Sequence, residues 1–196
     1  MKLRVIFIIT VIVLIFLFSF FWKVFSCKRL SCITMSSLAD FKIKDIYQED
    51  NNIFRGSYEN GDKILKAETI SNTDQFTANQ YITANIAQTK GLFTDALAPY
   101  PGVASNTIVC EPEYKPIFDS LLTTDKLEVS YFIAYLNNNL TYGSCTKSQT
   151  IYKGISAYFY CQKNKQAYHI EIIAPKASFE ESAGSYTKMV QSIKCN

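Results

Sequence analysis

The period of apolar and polar positions changes several times along the chain, and each change marks an element. Val5 to Trp22 reads VIFIITVIVLIFLFSFFW, 18 residues without a charge, with Lys2 and Arg4 before it and Lys23 after it. A run of that length spans a hydrocarbon core and exceeds the usual apolar region of a cleaved signal. From Ile53 the pattern alternates through IFRGSYENGDKILKAETI, with Asn60-Gly61 between two strand-like runs. Both central residues of a type I′ turn need positive φ, so this predicts a hairpin over Ile53 to Ile70 with Asn60 and Gly61 at its tip. Between Asp74 and Leu97, Ile82, Ile86, Phe93 and Leu97 fall on one helical face, and Pro99 and Pro101 stop the helix. Ser105 to Cys110 reads as a short strand, and LEVSYFIAYLNNNLTYGSC as two strands around an Asn-rich turn. A last hairpin, KGISAYFYCQKNKQAYHIEIIAPK, precedes a helix over Phe179 to Ile193. Its stripe is Phe179, Ala183, Tyr186, Val190 and Ile193, and Ser178 with Glu181 reads as a capping box.

The last hairpin can be given a register. A two-residue turn at Asn164-Lys165 sets Cys161 opposite Tyr168 and Phe159 opposite Ile170, so Ile155, Ala157, Phe159, Cys161, Tyr168, Ile170 and Ile172 share a face. A one-residue slip would bring His169 and Glu171 beside Phe159, and burial rejects it. Tyr158, Tyr160, His169 and Glu171 then point together to the other face.

These elements predict an α+β fold: an antiparallel sheet covered by helices, preceded by one N-terminal transmembrane or signal-anchor helix. The expected domains are a signal anchor and juxtamembrane collar over 1–32, a linker over 33–52 with at most a first strand in FKIKDI, and an extracytoplasmic α+β domain over 53–196.

Charge alters the picture in one respect. Of the 20 basic residues, Lys2, Arg4, Lys23, Lys28 and Arg29 lie in the first 32 positions, where there is no acid, leaving 15 against 17 acids in the remainder. A domain so close to neutral has no electrostatic footprint for nucleic acid. Basic residues on both sides of the apolar run leave its orientation undecided, and the cysteines decide it. Cys110, Cys145, Cys161 and Cys195 are an even set without CxxC spacing, in a chain with one histidine. Two disulfides fit better than a metal site, and disulfides place the domain outside the cytoplasm.

The pairing follows from path lengths. The strand Gln166 to Ala174 leaves the hairpin tip for about 30 Å at about 3.3 Å per residue, and the helix returns about 24 Å at about 1.5 Å per residue. Cys195 is thereby delivered beside Cys161, leaving Cys110 for Cys145. At the collar, VFSC reads as a poor lipobox ending in Cys27, so an uncleaved anchor is preferred, with lipidation of Cys27 and simple cleavage as its alternatives. Asn139-Leu140-Thr141 is a glycosylation sequon in a turn.

The chain has no GxGxxG, Walker loop, GxSxG or HExxH. His169 stands beside Tyr160 and Glu171 with Ser156 on the same face, so Tyr158, Tyr160, His169 and Glu171 are the candidate binding residues, with no catalytic residue, metal or cofactor assigned. The expected role is binding or assembly at the cell envelope, with the membrane and an envelope protein as partners. A secreted or anchored hydrolase using His169 and Glu171 is the rival, and the accessibility of a nucleophile at His169 separates the two.

GISAYFY, then AYHIEII, then a terminal helix running into MVQSIK resembles the end of PsbP-like domains, a photosystem subunit and its exported bacterial relatives. The resemblance covers roughly the last 40 residues. It implies an extracytoplasmic accessory or assembly role and carries over no catalytic residue.

Overall fold

A computed structural model describes residues 32–49, 52–97, 116–136 and 151–196. In chain order the elements are β1 (Ile33–Thr34), β2 (Lys42–Gln48), β3 (Ile53–Asn60), β4 (Lys63–Ile70), helix α1 (Gln75–Leu97), β5 (Ile117–Leu122), β6 (Glu128–Leu136), β7 (Tyr152–Cys161), β8 (Gln166–Pro175), helix α2 (Lys176–Gln191) and β9 (Lys194–Cys195). Seven strands make one antiparallel sheet in the order β2-β3-β4-β8-β7-β6-β5, and β1 pairs with β9 in a separate two-stranded sheet.

This corrects the expected α+β class. The described residues are mostly β, with two α-helices among them. The difference comes from the two edges of the sheet. β2 forms at the first strand that FKIKDI allows within the stretch read as a linker, and it runs on to Gln48 although most of its side chains are exposed and a bulge between Ile43 and Asp45 breaks the alternation. β5, from IFDSLL, is similarly open, and no strand is predicted there. An edge strand buries little, so its period is written weakly in the sequence. The expected N-terminal helix, Cys27, Cys110, Asn139, Cys145 and the strand over Ser105 to Cys110 lie outside the described residues. Among the described residues no helix is long and apolar enough to cross a membrane.

The hairpins form with different tips. Asn60 pairs with Lys63, so the first turn is Gly61-Asp62, and Gly61 has φ 62°. Glycine alone at the first central position is the type II′ pattern, which leaves Asn60 in the strand. β7 and β8 join through four residues, pairing Cys161 with Gln166 and Phe159 with Tyr168. That register differs from the expected one by two positions. Side chains alternate with a period of two, so every residue keeps its face.

β7 and β8 run through the middle of the sheet and are buried on both sides. One face carries Leu65, Ile155, Phe159, Ile170 and Ile172, each at most 1% exposed, under Phe179, Tyr186, Val190 and Ile193 from α2 and its continuation. On the other face α1 lays Tyr81, Ile82 and Ile86 over Phe132, Ala134 and Tyr158. α1 starts on Asp74, whose carboxylate accepts from the Thr77 backbone N–H at 2.8 Å and the Thr77 hydroxyl at 3.0 Å. The capping box expected at Ser178 does not form. α2 begins at Lys176 after Pro175, the Lys176 N–H donates to the Ile151 carbonyl at 2.9 Å, and the Ser178 hydroxyl donates to Asp62 at 2.5 Å. The fixed φ of proline already suits a helix start, and a neighbouring strand takes an orphan donor.

Cys161 is bonded to Cys195, with Cα atoms 5.7 Å apart. Cys32 is also disulfide-bonded. The expected pairing of Cys110 with Cys145 lies outside the described residues.

Candidate functional site

The sheet face that α1 covers only in part is built from cross-strand rungs. In one, Arg55, Glu68, His169 and Tyr158 stand side by side on β3, β4, β8 and β7; in the next, Ser57, Lys66, Glu171 and Ser156 do the same. Residues opposite one another on a sheet face have side chains within direct reach. Alternation along each strand therefore assembles a polar cluster from four strands of different sequence position.

Glu68 anchors the first rung. Its carboxylate accepts from the Tyr81 hydroxyl of α1 and from Arg55 Nε, and Arg55 also pairs with Glu49. Burial pushes the Glu68 carboxyl up, but the hydrogen bonds from Tyr81 and Arg55 outweigh it and hold its pKa below the ordinary value. The hydrogen bond to Glu68 raises Arg55 in turn, and burial with that same carboxylate raises Tyr81. In the second rung Glu171, 6% exposed, lies 3.5 Å from Lys66 Nζ and accepts from the Ser156 hydroxyl at 3.3 Å.

His169 connects the rungs. Its ring lies flat on Tyr158, centroids 4.2 Å apart and planes 5° from parallel, and Nε2 is 3.3 Å from Ser156 Oγ. Burial lowers its pKa, and the nearby Glu171 and Glu68 charges do not restore it. The imidazole is therefore held neutral at the pH where an exposed histidine begins to charge.

A nucleophilic relay places the imidazole between a carboxylate and a hydroxyl that faces the substrate. Here the hydroxyl sits between the imidazole and the carboxylate, and Ser156 is 0% exposed. The arrangement ties the strands together and keeps the Ser156 hydroxyl out of solvent. Among the described residues no group of three histidine, cysteine or acidic side chains is placed to hold a metal ion.

The four candidate binding residues share one face but divide between two cavities. His169 and Glu171 line a pocket of about 340 Å³ over β3, β4 and β8, which Tyr47, Arg55, Lys66 and Glu68 also line. Tyr158 and Tyr160 line a larger groove of about 580 Å³ between α1 and the β5–β6 turn. Sequence reasoning missed Arg55, Lys66, Glu68 and Tyr81. The polar positions of the first hairpin were visible, but nothing local says that β4 pairs with β8.

No family model matches the chain, and no curated protein matches it. A crystal structure of a protein from Bacteroides thetaiotaomicron VPI-5482 is similar at a TM-score of 0.37 and 9% identity, over 86% of this chain and 49% of that one. The chain thus spans about half the length of that protein, and the likeness carries no statement about function.

Proposed function

We propose that this chain is a binding or assembly domain, held at a membrane by its apolar N-terminal stretch with the folded part outside the cytoplasm, and that it takes its ligand on the polar face of the sheet. One observation carries the choice of binding over hydrolysis: the pocket opens on His169 and Glu171, while the hydroxyl that the imidazole meets, Ser156, is sealed beneath them. Cations and carboxylates alternate along the pocket wall, Arg55 with Glu68 and Lys66 with Glu171. These charges are already paired with one another and most of the exposed lining between them is apolar, so the pocket suits a peptide segment that lays an apolar side chain between polar ends. The disulfides and the charge-free run support the location. The resemblance of the C-terminal part to PsbP-like domains agrees with an accessory role.

A photo-crosslinking residue in place of Ser57, at the pocket wall, tests the reading in intact membranes. The expected outcome is a discrete adduct with an envelope component that is lost in Lys66→Glu and absent when the crosslinker replaces exposed Thr34. Hydrolysis of ester or peptide substrates by the full chain, abolished by Ser156→Ala and by His169→Gln alike, would establish the rival instead.

A further inference from the structure

We propose that the larger groove, between α1, the β5–β6 turn and the ends of β6 and β7, is a second and separate binding site, for a neutral oligosaccharide. Its wall carries three side-chain amides, Gln75 and Asn79 from α1 and Gln162 from the β7–β8 turn, with Tyr160 from β7 as the aromatic member, while Tyr158 lies in the floor with its ring already stacked on His169. A primary amide offers a donor and an acceptor in one plane, which matches two neighbouring hydroxyls of a sugar ring, and an aromatic face covers the ring's C–H side.

The charges in the groove argue against ionic ligands. Asp125 is already paired with Lys194 at 3.3 Å, and the remaining charged members, Lys126 and Glu128, oppose each other. That balance suits neither a phosphate nor a polycation. The wall is too polar for an acyl chain, whose burial would strand the amides without partners.

A further aromatic stands beside the groove. Phe76 is 72% exposed, unusual for a phenylalanine, and helical spacing sets it on the same side of α1 as Asn79 and Thr83, both exposed and both groove-lining. Among the described residues nothing packs over its ring, which leaves a face open for a sugar ring to stack on. A second cavity, of about 330 Å³, shares Gln75, Tyr160 and Gln162 with the groove and adds Asn72 together with one acid and one cation, Asp74 and Lys165, extending the polar wall past a single ring without a net charge. The ligand class is therefore a chain of sugars rather than a monosaccharide. The site shares no lining residue with the pocket at His169, so either can fail without the other.

Saturation-transfer NMR tests the site, using full-length protein in detergent with maltotetraose, chitotetraose and mannotetraose as probes and dextran sulfate as an anionic comparison. Saturable transfer to at least one neutral tetrasaccharide is expected. Asn79→Ala combined with Gln162→Ala should weaken it about ten-fold, and Phe76→Ala should weaken it as well. All three side chains are exposed, and an unchanged melting temperature checks that the variants fold. The proposal is overturned by no transfer to any neutral probe, by transfer that the amide and Phe76 variants leave unchanged, or by binding of dextran sulfate alone.

Discussion

Leu65 and Lys66 are neighbours on β4, and Ile170 and His169 are neighbours on β8, yet each pair is divided between opposite faces of one sheet. On the α2 side, Leu65, Phe159, Ile170 and Ile172 meet Phe179 and Val190 with at most 1% exposure, and the contacts are apolar. On the α1 side, the same strands present Arg55, Lys66, Glu68, His169 and Glu171, tied to one another by ion pairs and hydrogen bonds. The first face supplies most of the folding free energy, because apolar burial is proportional to area and needs no partner geometry. The second roughly offsets its own desolvation and gives instead a fixed arrangement of polar groups. On the α2 side the space left at the β3–β4 end is small, a cavity of about 10 Å³ over Gly56, Tyr58, Ala67 and Thr69, whereas α1 covers only part of its face and leaves a larger pocket on either flank.

Three substitutions break or sharpen that contrast. The largest effect belongs to the apolar face: Phe159→Ala should cost about 3–5 kcal/mol, read as a lower denaturant midpoint with an unchanged slope. On the polar face, Glu68→Gln should cost about 1–3 kcal/mol, because it strips a carboxylate from both Arg55 Nε and the Tyr81 hydroxyl. Replacing Arg55 and Glu68 together by leucine, with Tyr81→Phe to remove the orphaned hydroxyl, should recover most of that loss, and a triple variant as unstable as Phe159→Ala would mean that the polar face is the main source of stability. The smallest effect is the pH dependence of His169. Its folded pKa lies below the ordinary value of 6.5, so the unfolded chain takes up a proton first. Stability is then fully present above pH 6.5 and falls as pH drops from there through the folded-state pKa. His169→Gln should flatten unfolding free energies measured by urea titration across that window. The lowered Glu68 pKa adds a separate loss that begins only below its ordinary value of 4.5. Equal slopes in the two proteins would show that the imidazole is not held neutral.

Legibility in the sequence followed burial. The hairpin of β7 and β8 is buried on both sides, and its alternation set Tyr158, Tyr160, His169 and Glu171 on one face although the turn has four residues instead of two. A shift of two positions is invisible to a pattern of period two, which is why the faces survived the error. β5 was illegible and β2 showed only as a short strand in FKIKDI for the converse reason: exposed edges accept lysine, aspartate and serine at either parity, so no long period develops. The site was half legible. His169 and Glu171 stood out on a strand, but their partners Lys66 and Glu68 come from a hairpin about 100 residues earlier, and strand order in a sheet is a non-local choice that local pattern does not carry.

The small pairing of β1 with β9 constrains the order of events during folding. Ile33 is hydrogen-bonded into register with Cys195, the Asn196 N–H reaches the Cys32 carbonyl at 2.9 Å, and Ser36 and Ser192 interact across 156 residues of chain. Closing so long a loop costs entropy, and the return is two residue pairs, the bonds at Asn196 and Ser192, and the burial of Cys32, Ile33 and Met35 against the core. The main sheet and α2 must already stand before this clasp can shut. During synthesis Ile33 stays without its strand partner until Lys194 and Cys195 have emerged, so the clasp forms late, and the bond of Cys195 to Cys161 then holds one half of it in place.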